Sequence, residues 1–376
     1  MKILFLTFHG FSEYSGISKK IHYQINALKE CGFDVKTCFL DDTDNHKRRM
    51  IDNKILKDYG KGIKGKILKR IEFSSIANYA IQNNIHFIYM RYDHNANPFT
   101  IHLLNQLKRN NIKVVMEIPT YPYDLEYKGL PMPYQRILFI DKCFRNLLAN
   151  KIYKIVTFSD YEIIWGRPTI KISNGIDFNH IKLKSRINDT NKEFHMIGVA
   201  TMHPWHGFDR AIYGLINYYK STHNIDAYFH IVGYGVPEVV NEYKKIVKEN
   251  NLEKYVIFHS GVFGETLDNL FEISDFGIGS LARHRSNIIK IKTLKNIEYA
   301  ARGIPFVYSE IDDDFENMPY VLKALPDESP LDINRLITFY HSREFIPAEI
   351  RATIEKDLSW KQQMQKVINE SGITIK

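Results

Sequence analysis

The chain has 376 residues, a formal net charge of +8, and 44% hydrophobic against 25% charged residues, the proportions of a soluble globular protein. That length is too great for one ordinary core and suits two domains. No run approaches the ~20 apolar residues that cross a bilayer, and Cys31, Cys38 and Cys143, with no C-x-x-C pair, argue against a disulfide framework and a zinc site.

MKILFLTF opens the chain with a basic residue followed by apolar ones, but the apolar run breaks at His9-Gly10. It is too short for a secretion-signal core, so it reads as a first strand and the expected compartment is the cytoplasm. ISKKIHYQINALKECG follows as an amphipathic helix stopped by Gly32. DVKTCFL is the next strand, and Asp42-Thr43-Asp44 after it spells a D-x-D that reads as a turn cap rather than a metal motif. Residues 46–70 carry ten Lys or Arg against Asp52 and Asp58, and Ile51, Ile55, Ile63, Ile67 and Ile71 recur at intervals that include helical ones. The segment is read as a possible amphipathic helix, either solvated or facing anionic lipid head groups. Nucleic acid is not expected, because no recognition-helix or RNP-like motif accompanies the charge.

IHFIYMR, KVVMEIP and KIVTFS continue the strands of the first half, and HMIGVA, AYFHIVG, VIFHSG, FGIGSL and IPFVYS repeat the pattern in the second. Strands alternating with helices mark parallel sheets covered on both faces. The expected fold is therefore α/β, two Rossmann-like domains facing across a cleft. Residues 1–172 form the first domain, 173–192 a polar linker and 193–355 the second. A C-terminal helix within 356–376 packs back on the first domain.

Ligands of such sheets bind beyond the carboxyl ends of the strands. In the second domain RHRSNIIKIKTLK, residues 283–295, gathers Arg283, Arg285, Lys290, Lys292 and Lys295 around a helix start that Thr293 can cap. A helix N-terminus already carries partial positive charge and unpaired N–H groups. Cations crowded there point to an anion, and phosphate is the expected one. Glu298, one turn in, suits ribose hydroxyls. In the first domain Arg91, Asp93 and His94 follow one strand and Glu117 ends another, with Tyr121 and Tyr123 beyond it. Glu117 and His94 are the catalytic candidates; Arg91, Asp93 and Tyr123 are placed on the acceptor side.

LKNIEYAARGIPFVYS, FHIVGYGVPE, VIFHSGVFGE, ISNGIDF and WHGFDRAI, with MKILFLTF…SGISKKIHYQINALKECGFDV at the N-terminus, resemble family 4 glycosyltransferases of the GT-B fold over nearly the whole chain. The resemblance implies a retaining, metal-free transfer of a sugar from a nucleoside-diphosphate sugar to a hydroxyl of a glycan or lipid-linked glycan, in cell-surface polysaccharide synthesis, on or near a membrane. No cofactor is implied. Glu298 matches the second glutamate of the family's E-x7-E motif, and Gly16 the glycine of the first loop. Gly233 and Gly235 match a glycine pair after a strand, and Gly261 to Gly264, with Phe263, the loop that cups the base. Lys290 stands where the first glutamate belongs, and Thr201 and His206 stand where an Arg and Lys pair holds the pyrophosphate. Arg210 with the cations at 290, 292 and 295 would compensate, and His206 would be protonated beside the anion. These departures also admit a non-catalytic nucleotide-sugar-binding subunit, and the fold admits a nucleotide-sugar epimerase.

Overall fold

The computed structural model describes residues 1–12, 16–127, 130–185 and 192–373. They divide into two compact units, residues 1–173 with 360–376 and residues 174–359. Residues 186–191 of the linker expected over 173–192 lie outside the described residues; residues 174–185 belong to the second unit.

In the first unit β1 (Lys2–Leu6), α1 (Gly16–Glu30) and β2 (Asp34–Asp41) are followed by β3 (His46–Ile51), β4 (Lys54–Lys61), α2 (Gly62–Ile71) and α3 (Ser74–Gln82). Then come β5 (Phe87–Arg91), α4 (Pro98–Arg109), β6 (Lys113–Ile118), α5 (Met132–Ala149), β7 (Lys154–Thr157), β8 (Ile163–Ile164) and β9 (Arg167–Lys171). The strands form one sheet in the order β4-β3-β2-β1-β5-β6-β7-β9-β8. Its centre, from β2 to β9, is parallel. β5 is buried at every position, which is why FIYM, ahead of Arg91, reads as a continuous run of large hydrophobic residues: helices cover both faces. α1 turns Ile21, Ile25 and Leu28 onto one of these faces, a helical spacing that the sequence displays openly.

The basic segment 46–70 is a correction to the helix reading. Residues 46–61 form the antiparallel hairpin β3–β4, and only Gly62 onward is helical. Ile51 and Ile55 straddle the turn at Asp52-Asn53, where Asp52 has φ 49°, so their four-residue spacing comes from a chain reversal. Ile63, Ile67 and Ile71 do lie on α2. Part of the charge is structural: Arg49 is buried and donates to the Thr7 carbonyl oxygen, and the ammonium of the buried Lys47 pairs with Asp42. Asp42 to Asp44 sit in a short turn between β2 and β3, as turn formers should.

The second unit runs β10 (Glu193–Val199), α6 (Phe208–Tyr219), β11 (Asp226–Val232), α7 (Pro237–Glu249), β12 (Val256–His259), α8 (Glu265–Ile273) and β13 (Phe276–Ile278). It continues through α9 (Leu294–Arg302), β14 (Phe306–Tyr308), β15 (Val321–Lys323), α10 (Ile333–His341) and α11 (Pro347–Glu355). Its sheet is parallel throughout, ordered β12-β11-β10-β13-β14-β15. The order reverses at β10, the place where open α/β sheets bind ligands; here the loops after β10 and β13 touch, the Leu281 N–H donating to the His206 carbonyl oxygen at 2.9 Å. The last helix, α12 (Trp360–Glu370), belongs to the first unit, where Trp360, Met364, Val367 and Ile368 join the core that α1 covers.

Candidate functional site

α9 starts as the sequence suggests: the Thr293 hydroxyl accepts from the Asn296 N–H, and Gly303, at φ 78°, ends the helix in the left-handed conformation ahead of Pro305. The cations around that start are largely balanced from within. Lys290 pairs with Asp313 at 2.6 Å and Lys292 with Asp314 at 3.0 Å. Oδ2 of the buried Asp312 accepts from the Thr293 N–H at 3.3 Å and from Asn296 Nδ2 at 3.0 Å. The anion expected from the crowding of lysines is therefore supplied in part by Asp313 and Asp314, which follow β14. Lys290 is thus already paired in the fold, and the Thr293 N–H is already given to Asp312. Arg285 is likewise held, by Asp209 and Glu328.

Lys295 is different. Its ammonium lies 3.2 Å from the Ser280 hydroxyl and 5.6 Å from the centre of the Phe208 ring, and no carboxylate of the described residues lies within ion-pair distance. Burial, reinforced by the charge of Arg283, lowers its pKa to about 7, against the pull of Glu310. Glu310 follows β14, is 2% exposed, and neither of its carboxylate oxygens has a hydrogen-bond partner. Burial raises its pKa although Arg283, Lys295 and Lys323 act to lower it. His206 closes the group from the loop after β10. It is buried, its Nδ1 accepts from the His203 N–H at 3.2 Å, and burial together with Lys295, Arg283 and His203 drives its pKa far down. Burial and the neighbouring cations thus favour the neutral imidazole, and an anion beside it would act the other way. Lys295, Arg283, Ser280, His206 and Glu310 all stand beyond the carboxyl ends of β10, β13 and β14, so the sheet alone brings them together.

In the first unit Glu117, on β6, is fully buried and fully engaged. Gln24 Nε2 donates at 2.6 Å, the Tyr89 hydroxyl and Arg91 also donate, and Lys20 lies 3.7 Å away. Burial raises its pKa, but Lys20 and Arg91 outweigh that and hold the group ionised. Lys20, pressed against the Phe158 ring at 3.6 Å, has its pKa lowered by burial to about 7. Tyr123 is wholly buried and, with Tyr92, donates to Asp141. His94 stacks on Tyr123 with ring centres 4.0 Å apart, and its Nδ1 meets the Tyr127 hydroxyl. Glu117, Arg91 and Tyr123 thus have side-chain hydrogen bonds made within the first unit. His94 is half-buried with its pKa lowered by burial, and Asp93 alone of the five is exposed.

No family model matches the chain, and no curated protein matches it. Solved structures do. Sucrose-phosphate synthase from Thermosynechococcus elongatus matches with a TM-score of 0.68 at 14% identity, over 98% of this chain and 97% of that one. HepE from Anabaena, in complex with UDP and glucose, matches with 0.65 at 15% identity, over 99% of each chain. A glycosyltransferase from Rickettsia africae matches with 0.63 at 14% identity, over 98% of this chain and 97% of that one. The fold is GT-B.

The remaining expected residues fall in several places on this GT-B chain. Gly16 opens α1, directly after residues that lie outside the described ones. Thr201 is exposed on the loop after β10, and Phe263, 56% exposed, on the loop after β12. Gly233 has φ 131°, and a Cβ there would meet the Ala200 carbonyl oxygen at 2.0 Å. A Cβ on Gly235 would meet that of Met202 at 2.4 Å. The pair is needed for two loops of the protein to touch, which is reason enough for glycine. Arg210 is buried, donating to the carbonyl oxygens of Ser329, at 2.7 Å, and Leu281, and so ties down residues 327–329. Glu298 gives Oε1 to Arg302 at 3.0 Å, while Oε2 makes no hydrogen bond among the described residues. Ser280 and Glu310 were not singled out from sequence; the only sign was their position just after the strands FGI and FVY.

Proposed function

We propose that the protein is a retaining glycosyltransferase that moves a sugar from a nucleoside-diphosphate sugar to a hydroxyl of a glycan or lipid-linked glycan, in the synthesis of a cell-surface polysaccharide. The observation that carries this reading is the Lys295–Arg283–Ser280 group at the carboxyl edge of the second sheet, in a fold that in HepE accompanies bound UDP and glucose. Two buried or half-buried cations and a hydroxyl suit a diphosphate, and Oε2 of Glu298 is open to a ribose hydroxyl. His206 serves as a neutral lining group there, with its proton on Nε2 because Nδ1 is an acceptor. The acceptor would meet the first unit near Asp93 and His94.

The expected setting is the cytoplasm, peripheral to an anionic membrane. Supporting it, Lys54, Lys57, Lys61, Lys64 and Lys66 are exposed beside Ile55, Ile63 and Ile67, which are 57%, 77% and 52% exposed. No helix of the described residues is long and apolar enough to cross a membrane. A second reading, a nucleotide-sugar-binding subunit without transfer, is favoured by Lys290, which occupies the expected glutamate position and is bound to Asp313.

Incubating the purified chain with UDP-, GDP- and ADP-sugars and an extracted membrane-glycan acceptor fraction tests both. Acceptor-dependent release of the nucleotide, with the donor's anomeric configuration kept in the product by NMR, is expected. Donor binding without any release would leave the second reading standing.

A further inference from the structure

Buried polar groups in native proteins are almost always hydrogen-bonded, and an unpaired carboxylate in a low-dielectric site is among the costlier exceptions. Glu310 is such an exception: it is 2% exposed, and neither oxygen has a partner. Its backbone is well fixed, since its carbonyl oxygen accepts from the Lys323 ammonium and the preceding Ser309 N–H donates to the Ser280 carbonyl oxygen at 2.9 Å. The vacancy is therefore not the looseness of a mobile loop. The side chain is held in place by its surroundings and left without a hydrogen bond.

Acting on its charge are Arg283, its own backbone N–H, Lys295 and Lys323, none of them in hydrogen-bond geometry with its oxygens. Lys323 is already paired with Glu316 at 2.8 Å, and Lys295 takes the Ser280 hydroxyl, so the cations influence Glu310 without bonding to it. A metal ion is a poor occupant here: among the described residues no three His, Cys, Asp or Glu side chains gather to hold one, and the neighbouring charges are positive. A phosphate is a poor partner as well, because a carboxylate accepts hydrogen bonds and phosphate oxygens offer none to accept. The missing groups must be donors, neutral, and next to the place where Lys295 and Arg283 would take an anion. Hydroxyls attached to a phosphate ester fit all three conditions.

We infer that Glu310 is a specificity-determining residue whose carboxylate accepts hydroxyl groups of the sugar portion of a nucleoside-diphosphate sugar seated against Lys295 and Arg283. The inference rests on the donor-site reading above and deepens it. A carboxylate has about four lone-pair sites, enough to take two vicinal hydroxyls. Sites built to bond a hydroxyl reject ligands that lack it, since the buried acceptor is otherwise left unpaired. Glu310 is such an acceptor, so a hydroxyl that bonds it gives the sugar nucleotide an advantage over the bare diphosphate.

The test compares the wild type with Glu310→Gln and Glu310→Asp by calorimetry, using UDP, GDP and ADP and their glucose or mannose esters. Melting curves check that each variant folds. The wild type is expected to prefer one sugar nucleotide over its parent diphosphate. Glu310→Gln should erase about tenfold of that preference while leaving diphosphate affinity within about twofold, and Glu310→Asp should recover part of it. Equal loss for diphosphate and sugar nucleotide would make Glu310 a charge-balancing group only and overturn the inference. So would a wild type that gains nothing from the sugar. A wild type that binds none of these nucleotides would instead overturn the donor-site reading itself.

Discussion

Glu117 and Glu310 are near twins in placement and opposites in state. Each stands at or just beyond the carboxyl end of a strand in a parallel sheet, each is at most 2% exposed, and each has a lysine and an arginine acting on its charge. Glu117 has its hydrogen bonds filled by Gln24, Tyr89 and Arg91, whereas Glu310 has none. The difference separates a group that holds a domain together from one that awaits something outside it. Position beyond a strand, the usual pointer to function in α/β sheets, does not make that separation; the count of satisfied lone pairs does.

The largest expected effect breaks the filled member of the pair. Glu117→Ala leaves Lys20 and Arg91 buried with their charges uncompensated, and removing one partner of such a set costs about 3–5 kcal/mol. Urea denaturation should show that loss, with diphosphate affinity of the folded fraction unchanged. A loss below about 1 kcal/mol would remove Glu117 from the architecture and return it to the catalytic candidates.

A smaller effect, on binding rather than stability, follows from Lys295. Lys295→Met should weaken diphosphate binding by about tenfold to a hundredfold, the worth of a charged hydrogen bond. The fold should hold or gain stability, since a desolvated ammonium is removed. Protons sharpen the contrast, because Lys20 and Lys295 both titrate near 7 in the free protein. A lysine lowered from 10.5 to about 7 binds fewer protons folded than unfolded across that window. Stability from both therefore rises with pH between about 7 and 10.5 and is at its lowest, and flat, below about 7. A bound diphosphate raises Lys295 and leaves Lys20 alone. Binding should then take up a proton above pH 7, with affinity falling by up to about tenfold per pH unit, a dependence that calorimetry in two buffers of different ionisation enthalpy measures. Equal proton uptake in wild type and Lys295→Met would place the anion elsewhere.

What could be read from the sequence was local. The alternation of strands and helices, the cap at Thr293 and the stop at Gly303 depend on residues within a few positions of one another, and the structure has them. The hairpin at 46–61 was obscured because two isoleucines on opposite sides of a turn share a helical spacing. The site was less legible still. Glu117 is filled by residues 20, 24, 89 and 91, which only the strand order β1-β5-β6 and the packing of α1 bring together. Lys290 and Lys292 are neutralised by Asp313 and Asp314, more than twenty residues on. Whether a charge is already paired is a tertiary fact, and it decides here which of the crowded cations is available to a ligand.

Asp312 gives the smallest and most discriminating case, because it lies between the two extremes. It is buried like Glu310 yet bonded like Glu117, accepting from the Thr293 N–H and from Asn296. Burial and the charge of Asp314 raise its pKa from 3.8 to about 7, so the folded chain keeps a proton there that the unfolded chain has lost. Its contribution to stability is present below pH 4 and is lost as pH rises through about 7. Asparagine keeps an oxygen for the two bonds on Oδ2 and never ionises, giving up only the bond that Oδ1 accepts from the Asp314 N–H at 3.3 Å. Asp312→Asn should therefore be nearly neutral at pH 5 and more stable than the wild type, by about 1 kcal/mol, at pH 8, the difference appearing in paired thermal melts. A variant less stable at both pH values would mean that the Asp312 charge is needed at the start of α9. The helix tip would then hold its anion internally.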